Sequence, residues 1–214
     1  MKKLYLILLV GALVASCGKE NSLNSDYGVE KAPNNLYALT LYNVFTTQTP
    51  TSTDTDGPYE MGMKFKSTSD GQITKIRYYK YSGETGTHTG RLWSSTGTQL
   101  ASVTFSGETS SGWQSATLGT PYSISANTTY VVSVNSVARY GATTNGLASA
   151  ITNGPLSTIV GSNGVYGTTV GAFPTTSYQN SNYFRDIELN VIGGGGVTSS
   201  TTWQNFTLTT QTGI

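Results

Sequence analysis

The sequence predicts an all-β protein, a single antiparallel β-sandwich of jelly-roll type, on three observations. Apolar residues recur with a period of two: Met61, Met63 and Phe65 share one phase while Glu60, Lys64 and Lys66 share the other, the pattern of a strand with one face on a core. Turn clusters such as Ser69-Asp70-Gly71, Ser95-Thr96-Gly97 and Ser110-Ser111-Gly112 separate such runs at short intervals. Beyond the N-terminus, no convincing amphipathic helical period stands between them. Further strands are expected at 73–81, 91–93, 99–105, 113–118, 129–134 and 183–191, and short strands at this spacing belong to sandwiches and jelly rolls. Composition agrees. Charged residues are 11% of the chain against roughly 25% in ordinary soluble domains, whereas glycine and tyrosine are plentiful, as in extracellular β proteins.

Ahead of the sandwich, residues 1–16 read as a secretory signal. Lys2 and Lys3 make a positive n-region, and 4–15 is an apolar run interrupted only by Tyr5 and Gly11. About 20 apolar residues are needed to cross roughly 30 Å of hydrocarbon, and polar Gly18-Lys19-Glu20-Asn21 follows at once, so the run is not a mature membrane span. Val14-Ala15-Ser16-Cys17 resembles the bacterial lipobox, and Cys17 is the chain's single cysteine. The alternative is an ordinary signal followed by an unused thiol. Cys17 is the expected lipidation site and first mature residue. Each buried methylene adds about 0.8 kcal/mol and one chain binds marginally, so the several acyl chains of a bacterial lipoprotein make the stable anchor. With Cys17 acylated no intrachain disulfide is available, and packing alone must hold the fold. Gly18 is not the aspartate of inner-membrane retention, and Lys19-Glu20 resembles a weakened surface-export signal; the expected place is the outer-membrane surface.

Residues 17–36 are polar and aperiodic and read as a flexible tether. The sandwich is expected over 37–192. Gly193 to Gly196 and the following Val-Thr-Ser-Ser make a linker at 193–200, after which 201–214 reads as the start of a second domain that continues past Ile214.

Charge and residue chemistry exclude several functions. The chain holds 12 Lys and Arg against 11 Asp and Glu; removing 1–16 takes away Lys2 and Lys3, leaving 10 against 11 and a net charge of about −1. Nucleic-acid binding draws on a cationic footprint, and no Lys/Arg cluster is present, so nucleic acid is not an expected partner. Ser-His-Asp and Cys-His catalysis need a histidine to pass the proton. His88 is the only one, in a Gly-Thr-His-Thr-Gly loop where a hydrogen-bonded turn role is expected. Zinc chemistry wants several His or Cys ligands. Glycoside hydrolysis wants two carboxyls at a fixed separation, and Glu60, Glu84, Glu108, Asp186 and Glu188 sit in no recognisable catalytic motif. The expected function is noncatalytic.

Two binding chemistries remain. Asp54-Thr55-Asp56-Gly57 is a fragment of a loop that could wrap a hard cation. Glu60 on the first clear strand and Asp186 on the last, out of phase with Ile187, Leu189 and Val191, are expected to share a structural calcium by analogy with sandwich carbohydrate-binding modules. The alternative is an ion pair of Glu60 or Asp186 with Arg77 or Arg185. Polysaccharide is the other candidate ligand: sugar rings present apolar C–H groups to aromatic faces flanked by amides and carboxylates. Tyr140, Tyr166, Phe173, Tyr178, Tyr183 and Phe184 crowd the Gly/Asn/Ser-rich stretch 138–184 with Asn163, Gln179, Asn180 and Asn182. The expected ligand contacts are Tyr140, Tyr166, Tyr178, Tyr183 and Asn182; the alternative packs most of these rings against the sandwich ends. Trp93 and Trp113 are expected in the core.

A run of motifs in fixed order carries a resemblance. Tyr59-Glu60-Met61-Gly62-Met63-Lys64-Phe65, Ile73-Thr74-Lys75-Ile76-Arg77-Tyr78-Tyr79-Lys80 and Glu84-Thr85-Gly86-Thr87-His88-Thr89-Gly90-Arg91-Leu92-Trp93 come first. Gly107-Glu108-Thr109-Ser110-Ser111-Gly112-Trp113-Gln114, Ala126-Asn127-Thr128-Thr129-Tyr130-Val131-Val132-Ser133, Asn163-Gly164-Val165-Tyr166, Phe173-Pro174 and Asn182-Tyr183-Phe184-Arg185-Asp186 follow. Together, over about 42–191, they resemble the bacterial extracellular family catalogued as domain of unknown function 4082. The resemblance implies a noncatalytic β-sandwich that accompanies carbohydrate-active or adhesive modules. It departs at Arg185, where the family usually has an apolar residue, and at Tyr140, in a shortened segment lacking a histidine. Residues 203–214 are similar to the opening of a laminin-G-like sandwich. The expected role is a cell-surface module that binds polysaccharide; the alternative is a structural spacer or adhesion domain without a small ligand.

Changing Cys17 to Ser is expected to release the protein from the membrane while leaving the domain folded. Equal incorporation of radiolabelled palmitate into the variant and the native chain would refute the anchor.

Overall fold

The computed structural model describes residues 39–192, and every regular element among them is a strand. In chain order these are β1 (Leu39–Tyr42), β2 (Ser52–Asp54), β3 (Tyr59–Ser67), β4 (Gly71–Lys80), β5 (Thr89–Ser94), β6 (Gln99–Thr104) and β7 (Gly112–Ile124). They continue as β8 (Tyr130–Ser136), β9 (Tyr140–Ala142), β10 (Thr152–Asn153), β11 (Leu156–Thr158), β12 (Gly164–Gly167), β13 (Thr176–Ser177) and β14 (Arg185–Ile192). The expected signal at 1–16, the tether at 17–36 with Cys17, the linker at 193–200 and the segment 201–214 lie outside the described residues.

The strands make an antiparallel sandwich. One sheet runs β1-β14-β4-β7; the other runs β10-β11-β3-β8-β5-β6. β3 pairs with β11 through Phe65 to Ser67 and with β12 through Glu60 to Met63, and β13 extends β12. β2 and β9 form a separate ribbon. Between the sheets lie Met63 and Phe65 of β3, Ile76 and Tyr78 of β4, Val132 and Val134 of β8, and Ile187 and Leu189 of β14, each the inward member of an alternating pair. Burying one such side chain contributes about 1.5–3 kcal/mol, and the core must supply this without a disulfide among the described residues.

Alternation alone predicts a solvated outer face for β3 and β8. The structure covers it: Glu60 is fully buried, and β8 is buried at every position. The cover comes from the irregular stretch after β9, whose Val165 and Phe173 pack with Trp93 and Val131. Glu60 pins it. Its Oε2 accepts from Arg91 Nη1 and from the Gly171 N–H, both at 2.9 Å, while its Oε1 accepts from the Ser133 hydroxyl at 2.5 Å. Ser133 in turn accepts the Trp93 indole N–H at 2.8 Å, so a charge is buried only with its donors supplied.

The other sheet has a matching anchor. Asp186 faces away from the core and stands directly opposite Arg77. Its Oδ1 accepts the N–H groups of Val44 (2.9 Å) and Ile187 (2.8 Å), and its Oδ2 accepts the Phe45 N–H (3.1 Å) and Arg77 Nη1 (3.0 Å). The turn after β1 is thereby tied to β14. Burial pushes the Asp186 carboxyl up to about 6, against the opposing pull of Arg77 and these backbone N–H groups.

Replacing Asp186 by Ala orphans three backbone donors and leaves Arg77 without its partner, so a loss of about 3–5 kcal/mol is expected in denaturant unfolding. The folded pKa of about 6 lies above the ordinary 3.8. This carboxyl's contribution is therefore complete below about pH 4 and is lost as pH rises through 6. Between pH 7 and pH 4 the native protein is expected to gain on the order of 3 kcal/mol relative to Asp186→Asn; a stability difference that stays flat across that window contradicts the assignment.

Candidate functional site

At one end of the sandwich, tyrosines from four segments converge. Tyr59 and Met61 share the inward phase of β3, and the β12 pairing sets Tyr166 directly beside Met61. Tyr140 opens β9 opposite Asp54 of β2. Tyr183 arrives just before β14, where Asn182 exchanges two backbone hydrogen bonds with Thr143. Gly164 makes the approach possible, because a Cβ there would collide with the Ser181 carbonyl.

The four rings form a closed circuit of edge-to-face pairs. Tyr59 meets Tyr140 at 5.9 Å between centroids and 82°, and Tyr166 at 5.7 Å and 86°. Tyr183 meets Tyr140 at 6.1 Å and 76°, and Tyr166 at 6.3 Å and 71°. Each such contact contributes about 0.5–1.5 kcal/mol beyond area burial, so the circuit is self-supporting. These rings, Met61, Asp56 and Tyr178 line a cleft of about 190 Å³. Tyr178 is 55% exposed at its rim.

Asp56 sets the electrostatics, its Oδ2 accepting the Tyr59 hydroxyl at 2.9 Å. That hydrogen bond is the main reason the Tyr59 pKa lies above the ordinary value, with burial adding to it. Burial first, then Asp56, raises Tyr140 further, and burial with the neighbouring Tyr166 pushes Tyr183 up to about 12. All three hydroxyls stay neutral at physiological pH. The negative charge of the site belongs to Asp54 and Asp56, and neither has an ion-pair partner among the described residues.

The structure thus brings together Tyr140, Tyr166, Tyr178 and Tyr183 from the expected glycan contacts, with Asp54 and Asp56 from the expected cation loop. It departs from the sequence reading in the exposure of two of these rings and in the surroundings of three other residues. Tyr140 and Tyr183 are not exposed platforms; at 8% and 6% exposure they pack on Met61 and each other. Asn182 is buried, and its Oδ1 is committed to the Phe184 N–H at 2.8 Å, supporting a left-handed Phe184 at φ 55°. Asn182 is scaffold. Glu60 and Asp186 do not meet: they lie on the outward faces of different sheets, each committed to its own arginine, Arg91 and Arg77. Tyr59 was the residue that composition missed. Its available signal was its phase with Met61, three residues after Asp56.

His88 is fully enclosed. Its Nδ1 lies 2.8 Å from the Tyr78 hydroxyl and 2.9 Å from Glu108 Oε1, and its Nε2 lies 3.2 Å from Glu84 Oε1. Burial opposes the charge of Glu108, but Lys80, His88 and Tyr78 together hold its carboxyl below the ordinary value.

The family model described as Domain of unknown function (DUF4082) matches residues 29–185, a span that contains every residue lining the cleft. No curated protein matches the chain.

The environment of the box is measurable by alkaline titration of tyrosinate absorbance. The component lost in Tyr59→Phe is expected to titrate above the ordinary 10.0 in the native background and to fall back toward it in Asp56→Asn. An unmoved component would mean that Asp56 does not hold the Tyr59 hydroxyl.

Proposed function

The chain belongs to this family of unknown function, and from that premise we propose that it is a noncatalytic, lipid-anchored module of the cell surface that takes one sugar unit of a polysaccharide into the tyrosine cleft. It would do so as an accessory to a larger carbohydrate-active or adhesive protein. The carrying observation is the convergence of Tyr59, Tyr140, Tyr166 and Tyr183 on one cleft with Tyr178 exposed at its rim and Asp56 beside it. Aromatic faces suit the apolar C–H groups of a sugar; phenolic hydroxyls and a carboxylate suit its polar edge. At about 190 Å³ the cleft is smaller than the roughly 300–1,000 Å³ of sites that enclose drug-sized ligands, so it suits a terminal unit or a substituent rather than a length of chain. The enclosure of His88 supports the noncatalytic part of the reading, and the lipobox around Cys17 supports export and anchoring at the outer membrane. If a structural calcium binds, Asp54 and Asp56 are the expected ligands still free of an arginine.

Native-gel retardation by a panel of plant, algal and microbial polysaccharides tests the reading. Tyr178→Ala is expected to weaken retardation with a stability change within about 0.5 kcal/mol, as for an exposed side chain, whereas Tyr140→Ala also lowers the melting temperature because its ring is packed. A native protein that no member of the panel retards returns the domain to the spacer alternative.

A further inference from the structure

We infer that the cleft is a cage for an organic ammonium group, so that the recognised unit is a cation-bearing sugar or substituent. The inference rests on the binding reading above and names the chemistry of its ligand.

Ring orientation is the first ground. A pyranose lies across one exposed face or across coplanar faces. Here neighbouring rings stand at 71–86° to each other, which spoils a platform but surrounds a compact group. The four rings line the cleft together with Asp56 and Met61, and a ring face attracts a cation within roughly 6 Å.

Charge is the second. Tyrosine faces are negative, and the unpaired Asp54 and Asp56 add formal charge at the same end. Arg185 is a cation whose charge reaches Tyr183. It is fully buried, and its Nε and Nη1 donate to the carbonyls of Val134 and Tyr183. It leaves the cleft side uncompensated.

Size and donor chemistry are the third. About 190 Å³ is about six water volumes, room for a trimethylammonium or a hydrated primary ammonium. Calcium instead takes about 6–8 oxygen ligands, whereas this wall is mostly aromatic. The same ammonium chemistry comes from two sources: the free amine of a de-N-acetylated amino sugar, or a choline substituent.

The test is calorimetry on the full-length lipidated protein in detergent. Choline is compared with its neutral carbon isostere 3,3-dimethylbutanol, and a glucosamine oligosaccharide with the N-acetylglucosamine oligosaccharide of the same length. The cationic member of at least one pair is expected to bind about tenfold tighter or better, and the pair that discriminates identifies the source. Asp56→Asn, an exposed substitution, is expected to reduce that preference severalfold; Tyr166→Ala is expected to abolish binding, with the melting curve checked alongside. Equal affinity within both pairs overturns the cage while leaving the sugar-binding reading intact. Cation binding untouched by Asp56→Asn and Tyr166→Ala places it elsewhere and also overturns the cage. If neither pair binds and the polysaccharide panel is likewise unretarded, both readings fall.

Discussion

The site depends on how β14 enters the sandwich, and that entry is governed by two adjacent buried charges. Asp186 gathers Arg77 and three backbone N–H groups on the outward side, fastening the turn after β1. Arg185 points inward. It lies over the Tyr78 ring at 5.6 Å and donates to the carbonyls of Val134 and Tyr183. Between them they fix the strand's phase, because exchanging the two would put an acid in the core and an arginine where backbone donors converge. Tyr183 is only two residues upstream, and its carbonyl is one of those Arg185 holds. The ring that closes the tyrosine circuit is therefore positioned by the same interaction that closes the sheet.

Burying charge is costly, and an ion pair often contributes little net stability against apolar packing. Its effect here is on register and coverage. Glu60 fastens the Gly171 loop over β3 and β8, Asp186 fastens the Val44-Phe45 turn over β14, and each is satisfied by donors fixed in the backbone as well as by an arginine. Arg185 is less well served: among the described residues its Nη2 has no hydrogen-bond partner, and Glu84, whose Oε1 lies 3.2 Å from His88 Nε2, is the leading charge favouring its ionised state against the cost of burial. Glu84, His88, Glu108 and Tyr78 form a polar seam inside a sandwich that has no disulfide among its described residues. That acidic seam is what favours the ionised state of a fully buried arginine at the start of β14.

Period-two alternation made the long strands legible: β3, β4, β6, β8 and β14 are found where the pattern placed them, with ends shifted by a few residues, while β7 runs on from the expected 113–118 to Ile124 and β5 extends on both sides of 91–93. It could not reveal β9 to β13, because strands of two to four residues have no period to read. Nor could it show that this irregular stretch covers an outer face, which is why Glu60 looked solvated and proved enclosed. The tyrosines were legible as a concentration in 138–184, but ring exposure depends on partners distant in sequence. Tyr140 and Tyr183 are buried by one another and by Met61. Asn182, read as a ligand contact, is taken by the backbone of Phe184. The Arg77 partner of Asp186 was among the ion pairs the sequence suggested; Arg91 for Glu60 was not, since nothing local links β3 to β5 across β8.

A site made this way is half core and half surface, which shapes how it can work. Tyr140 and Tyr183 owe their orientation to edge-to-face packing, so a ligand taken up as proposed would find them already in place, with little ordering entropy left to lose. Tyr178, Asp54 and Asp56 are exposed, and Asp56 meets the frame through the Tyr59 hydroxyl. On the proposed reading, affinity and specificity would be carried by different parts of the fold: the packed rings set the shape of the cavity, while the two carboxylates without an ion-pair partner among the described residues would set the charge it prefers. The same rings would be an ordinary satellite core if the aspartates were paired or the cleft filled. Neither holds among the described residues, and that combination of open space, perpendicular faces and uncompensated negative charge distinguishes this end of the sandwich from the rest of its packing.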